Sequence, residues 1–184
     1  VAHEPTRLEE IFIAAAAPGN IYRKFRWGPL LPWLSDAALA HGLMITGFHH
    51  SVDSSSVRHI RAQHGDPAAE QRRGQIAITG NDLAGIETVL GQAQYLLFGA
   101  KTRRQLPLIG FIQQKPSAAI MALSELRTGR RELALVSMRK YPATIDARTI
   151  AGTLNPNGRT DGGAGVSIIE ISQNVTAIPP APRA

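Results

Sequence analysis

The sequence contains no cysteine. Disulfide staples, thiolate zinc sites and a thiol nucleophile are therefore excluded. It also lacks an apolar run of about 18 residues, the length a membrane-spanning helix requires, so no segment is expected to cross a bilayer. Aromatic residues make up only 5% of the chain against 43% hydrophobic residues overall. The core must then be mostly aliphatic. No set of His, Asp and Glu has a recognised ligand spacing and no paired-carboxylate motif is present, so neither a metal nor another cofactor is expected.

Acidic residues are also in short supply, 14 against 20 Lys and Arg, for a formal charge of +6. Such a surplus favours a polyanionic partner through phosphate contacts and counterion release, although a merely basic, soluble surface has the same composition. The 184 residues suffice for one domain with a short appendage. The chain shows no internal repeat and no signal peptide. It begins at Val1 instead of Met, as expected of a trimmed or processed piece of a longer protein.

Five of the six histidines fall between His41 and His64. Upstream, Thr6 to Ala17 is a predicted helix, opened by a capping box of Thr6 with Glu9 and stopped by Pro18-Gly19. Asn20 to Pro32 interleaves Arg23, Lys24 and Arg26 with Tyr22, Phe25 and Trp27. That pattern can grip single-stranded nucleic acid, or it can be a docking connector broken by Gly28-Pro29 and Pro32. A short helix over 37–41 ends at Gly42, and residues 1–42 read as a separable N-terminal arm. Leu43 to Phe48 is a predicted strand. Asp53 or one of Ser54 to Ser56 then caps a helix over 57–64 that Gly65 stops. On that helix His64 shares a face with Val57 and Ile60, while His59 lies about 140° around. His64 reads equally as a partly buried histidine beside a helix end, and His59 as a solvated surface residue. Arg72 and Arg73 can hold phosphate or be a plain solvated pair. Thr79 with Asp82 is a second capping pattern.

From Leu106 the period changes. Residues 108–113, 118–126 and 132–138 read as an antiparallel meander with turns at Lys115-Pro116-Ser117 and Arg127-Thr128-Gly129-Arg130. Strict alternation puts Leu133, Leu135, Ser137 and Arg139 on one face, with Ala134, Val136, Met138 and Lys140 on the other. Arg139, Lys140 and Tyr141 at that strand's end are suited to lie beside a scissile phosphate. A helix over 144–154 precedes an Asn- and Gly-rich loop whose Arg159 and Thr160 could meet an anion. A strand over 166–171 and a disordered tail over 179–184 complete the chain.

The runs HSVDSSSVRHIRAQHGD from His50 and EQRRGQIAITGND from Glu70, followed by GIETVLGQAQYLLF and later RRELALVSMRK, carry a likeness. They resemble the phage barnase–EndoU–colicin–RelE-like nuclease domains over roughly residues 43–175. Such domains occur at the C-termini of phage head-morphogenesis and other virion proteins and among bacterial polymorphic toxins. The resemblance implies an α+β fold with N-terminal helices packed on a four-stranded antiparallel sheet, here a nuclease-like domain over 43–178. It also implies a metal-independent endoribonuclease. Carried onto this chain, His50, His59 and His64 stand at the motif's histidines. Lys140 and Thr160 join them as catalytic candidates by their position relative to the strands, with Arg72, Arg73, Arg139, Tyr141 and Arg159 as substrate-binding candidates. The implied partners are RNA, including tRNA, with virion proteins or an immunity protein, in a virion or after delivery into a bacterial cytoplasm. Two alternatives stay open: a non-enzymatic virion domain that binds nucleic acid with a decayed site, and a metal-dependent DNase, which the scattered carboxylates disfavour.

Overall fold

The computed structural model describes residues 7–154 and 165–171. In chain order the elements are α1 (Arg7–Ala16), β1 (Lys24–Trp27), α2 (Pro32–Leu39), β2 (His49–Asp53), α3 (Ser54–His64), α4 (Pro67–Arg72), α5 (Gly80–Ala84), α6 (Ile86–Gly91), β3 (Tyr95–Phe98), β4 (Leu108–Gln114), β5 (Ala118–Arg127), β6 (Glu132–Pro142), α7 (Ala147–Gly152) and β7 (Ser167–Glu170). The strands form one sheet in the order β1-β2-β6-β5-β4-β3-β7. The α+β class agrees with the expectation, but the sheet has seven strands instead of four. It is also mixed, because β2 pairs with β6 in parallel. The expected meander is its centre, β4-β5-β6. What was added escaped notice for local reasons. β1 has four residues next to Gly28-Pro29, and β3 is a four-residue apolar run with no period to read.

The first strand of the histidine region lies at His49–Asp53, later than the expected Leu43 to Phe48. That apolar run instead sends Ile45 and Phe48 into the core from a loop. The stretch read as a separable arm is packed into the domain. β1 pairs with β2, and Ile11, Leu34 and Ala38 belong to the main core. Burial of that apolar surface is what draws α1 and α2 onto the sheet. Thr6 and the tail over 179–184 lie outside the described residues.

Two cores sandwich the sheet. The larger joins Val52, Leu133, Leu135, Met138, Phe111 and Leu96 to Ile11, Leu34, Val57, Ile60 and Val89 from the helices. The smaller joins Leu97, Ile112, Met121 and Tyr141 to Ile150 and Ala151 of α7. Asp146 starts α7 by accepting from the Thr149 N–H at 2.8 Å.

Strict alternation fails in β6. Ser124 pairs with Leu135 but Leu123 pairs with Ser137, so Val136 is an extra residue, a β-bulge. Beyond it Met138 joins Leu133 and Leu135 in the larger core, while Leu123, Val136 and Tyr141 belong to the smaller. Ser137 and Arg139 therefore lie on the face opposite Leu133 and Leu135, and Lys140 is turned to the helix side. There Lys140 Nζ binds Asp82 at 3.0 Å, and its carbonyl accepts from Ile76 N–H at 2.8 Å. Asp82 also completes the expected capping box with Thr79.

His50 faces the larger core, only 8% exposed. Its ring stacks on Trp27 at 5.4 Å and meets the edge of Phe111 at 5.7 Å. Burial pushes its pKa down to about 4 from the usual 6.5. The folded protein thus holds this imidazole neutral where the unfolded chain protonates it. The contribution is complete above pH 6.5 and is lost as pH falls toward 4, at most about 3 kcal/mol. Denaturant titrations from pH 7 to 4 should show wild type losing stability more steeply than His50→Phe, by close to one proton. Equal slopes would place the imidazole in water.

Candidate active site

The side chains that meet on the sheet's other face do so because of where β2 ends. Its pairing with β6 stops at Ser51 and Ala134. The chain then enters α3, whose first turn is held by Asp53 accepting from Ser56 N–H at 2.8 Å. α3 runs on beside the bulged half of β6, contributing Val57 and Ile60 to the core. His59, Gln63 and His64 form one wall of a groove of about 610 Å³. Arg73 and Gln75 extend that wall. Leu123, Val136, Ser137 and Arg139 of the sheet line the groove as well, with Thr102, Arg103 and Leu108.

His64 is mostly buried and its Nδ1 lies 3.1 Å from Glu70 Oε2. Glu70 is completely buried, and its other oxygen accepts from Arg73 Nη1. Arg73 is itself fixed by a 2.8 Å bond to the Gln63 carbonyl. A carboxylate paired in this way only accepts, so the neutral His64 ring carries its proton on Nδ1 and leaves the Nε2 lone pair free. Burial lowers the His64 pKa, and the charges of Arg139 and Arg73 lower it further against the opposing pull of Glu70. At neutral pH the ring is a base.

Arg139 is half-buried, and its Nε has no hydrogen-bond partner among the described residues. No carboxylate there lies within ion-pair distance of it. Among the described residues the groove lining holds Arg73, Arg103, Arg139 and two imidazoles, and no acid. An unpaired guanidinium beside a neutral imidazole suits an anion that must also lose a proton. Among the described residues no three His, Asp or Glu side chains are grouped as metal ligands would be.

Of the residues singled out from sequence, His59, His64, Arg73 and Arg139 meet in this groove. His50 does not. It lines a separate pocket of about 280 Å³ with Trp27, Trp33 and Glu87 on the helix side. Lys140 is committed to Asp82, and Tyr141 is buried with its hydroxyl 3.2 Å from Thr153 Oγ1. Adjacent residues on a strand point to opposite faces, which separates Lys140 from Arg139. Arg72 is exposed on α4 and does not line the groove. Arg159 and Thr160 lie outside the described residues. Sequence reasoning gave no role to Glu70, Gln63, Gln75, Arg103 or Ser137. For Glu70 a signal existed, since Asp66-Pro67 opens a helix that must return toward His64. Arg103 sits in a loop without one.

Removing Glu70 leaves Arg73 without its carboxylate and His64 without its acceptor. Glu70→Ala should cost about 2 kcal/mol in denaturant unfolding, because it leaves the buried His64 N–H unpaired while the half-exposed Arg73 turns to water. A loss under about 1 kcal/mol would mean that the pair is solvated.

A family model described as phage-Barnase-EndoU-ColicinE5/D-RelE like nuclease3 matches residues 32–148. That span runs from α2 into α7 and takes in every residue lining the groove. No curated protein and no solved structure matches the chain. With well over half its length matched, the chain belongs to the phage-Barnase-EndoU-ColicinE5/D-RelE like nuclease3 family.

Proposed function

We propose that this nuclease domain is a metal-independent endoribonuclease acting in the groove between α3 and β6. The observation that carries the reading is the trio of Glu70, His64 and Arg139: a base oriented by a buried carboxylate beside a cation with no partner of its own. Cleavage of RNA needs a base for the 2′-OH, an acid for the departing 5′-oxygen, and positive charge for the phosphorane-like transition state. His64 Nε2 takes the 2′-OH proton as the 2′-oxygen attacks phosphorus. The P–O5′ bond breaks, His59 gives a proton to the 5′-oxygen, and a 2′,3′-cyclic phosphate remains. Arg139, with Arg73 and Arg103, holds the phosphate oxygens. DNA lacks the nucleophile this chemistry uses.

Labelled RNA incubated with the protein should be cut with EDTA present, while DNA of the same sequence stays intact. His64→Ala should lower kcat/KM by about 100- to 10,000-fold and Arg139→Ala by about 100- to 1,000-fold, with unfolding curves showing both variants folded. His64 acts unprotonated and its pKa is depressed. On the acid side the rate should therefore fall when pH drops through a value below the usual imidazole figure of about 6.5. Cleavage abolished by EDTA, or unchanged in His64→Ala, would remove the assignment.

The words phage and colicin in the family's description support a delivered effector whose target is cellular RNA and whose host carries an inhibitor. Induced expression in a bacterium should then arrest growth, and His64→Ala should relieve the arrest. Equal toxicity of the two proteins would count against it.

A further inference from the structure

The basic and aromatic stretch from Tyr22 to Trp27 has no part in the groove chemistry, and its surroundings give it another. Register places Arg26 opposite Ser51, Ser51 opposite Ala134, and Ala134 opposite Glu125. In the next rows Lys24 stands opposite Asp53, and Glu132 opposite Arg127. Alternation puts all of these on the face of the sheet that carries Ser137 and Arg139.

The acids of this face lie underneath. Side-chain exposure is 0% for Glu132, 9% for Asp53 and 16% for Glu125, against 47% for Arg26 and 26% for Arg127. Lys24, Arg26 and Arg127 all gather around Glu132, and Arg26 Nη2 also bonds the Arg130 carbonyl. Buried carboxylates thus hold the cations in place while solvent meets mainly the positive charge. Tyr22 is 52% exposed. Its phenol lies close enough to Asp53, Arg130, Arg127 and Glu132 for all four charges to act on it.

We propose that this face is a second RNA-binding surface, where Tyr22 stacks on a base and Arg26 and Arg130 contact phosphates of the strand leading into the groove. The identity of the polyanion as RNA rests on the ribonuclease reading above. Strand spacing puts Arg26 on the order of 20 Å from Arg139, a span of a few nucleotides. Stacking platforms flanked by cations are the common means of holding single strands without sequence preference.

Fluorescence anisotropy with 2′-O-methyl oligonucleotides, which the groove cannot cleave, tests this. A probe of about twelve nucleotides reaches both surfaces, and one of about three fits the groove alone. Arg26→Ala/Arg130→Ala should bind the long probe about tenfold more weakly, with a salt slope shallower by roughly 1.4 units, about 0.7 per lost contact. The short probe should bind as in wild type. Tyr22→Ala touches neither ion pair nor core, so it should weaken the long probe with the slope unchanged. Long-probe binding that is absent in wild type, or identical in both variants, overturns the proposal. So does an effect confined to vesicles of anionic lipid. Intact long-probe binding in a protein that cleaves no RNA would sink the catalytic reading and leave this surface standing.

Discussion

One extra residue in β6 decides what the groove contains. Before Val136 the strand keeps Leu133 and Leu135 against the helices; after it, Met138 takes over that role. Had the alternation continued, Arg139 would share the helix side with Leu135 and Lys140 would face the groove. A bulge re-aims every side chain that follows it and bends its strand. Here it coincides with the place where β2 leaves the sheet and α3 takes its position along the edge. The edge is covered again at Lys140, whose carbonyl pairs with Ile76. The opening between those two pairings is the groove, so the same irregularity that aims Arg139 also makes room beside it.

Burying a carboxylate is unfavourable unless every oxygen finds a partner, and once satisfied it fixes those partners firmly. Glu70 meets this fully under His64 and Arg73, and Glu132 gathers Lys24, Arg26 and Arg127 as ion-pair partners. Both are fully buried. The consequence reaches beyond stability. A guanidinium ordered from below has lost less freedom still to lose when a phosphate arrives from above. A chain with 14 acidic residues can in this way present a face on which positive charge is outermost. Among the described residues Arg139 has no such anchor, which leaves its charge for a ligand.

Much of the framework was legible because the signals were local. Turn formers and alternation gave β4, β5 and β6, and caps gave α3 and the Thr79–Asp82 turn. The strand read over 166–171 is β7, whereas β1, β2 and β3 were hidden in short segments whose state is set by partners distant in sequence, as β1 is by β2. The bulge left no trace either, since an inserted Val in an apolar strand reads as a continuation. At the site the same limit applies. His59, His64, Arg73 and Arg139, singled out from sequence, line one groove. His50 was placed with them by the family resemblance and Lys140 by its position at the strand end, and neither lines the groove, because a strand sends neighbours to opposite faces. The bulge at Val136 turns Lys140 away from the groove and brings Ser137 and Arg139 into it.

The helix geometry that seemed to keep His59 and His64 apart also bears on how they divide the work. About 140° of rotation separates them on an ideal helix, too much for two ligands of one small point. The groove is not a point, because α3 forms a whole wall of it. His59 is exposed on that wall, and His64 is mostly buried where the helix ends against Glu70. Their environments differ accordingly, one in water and one held neutral by burial and two arginines. In-line displacement at phosphorus has its entering and departing oxygens on opposite sides, and needs two proton carriers that are apart and unlike. Under the proposed mechanism, a wall with one imidazole in solvent and one at depth would meet both needs, with Arg139 of the same groove taking the charge between them.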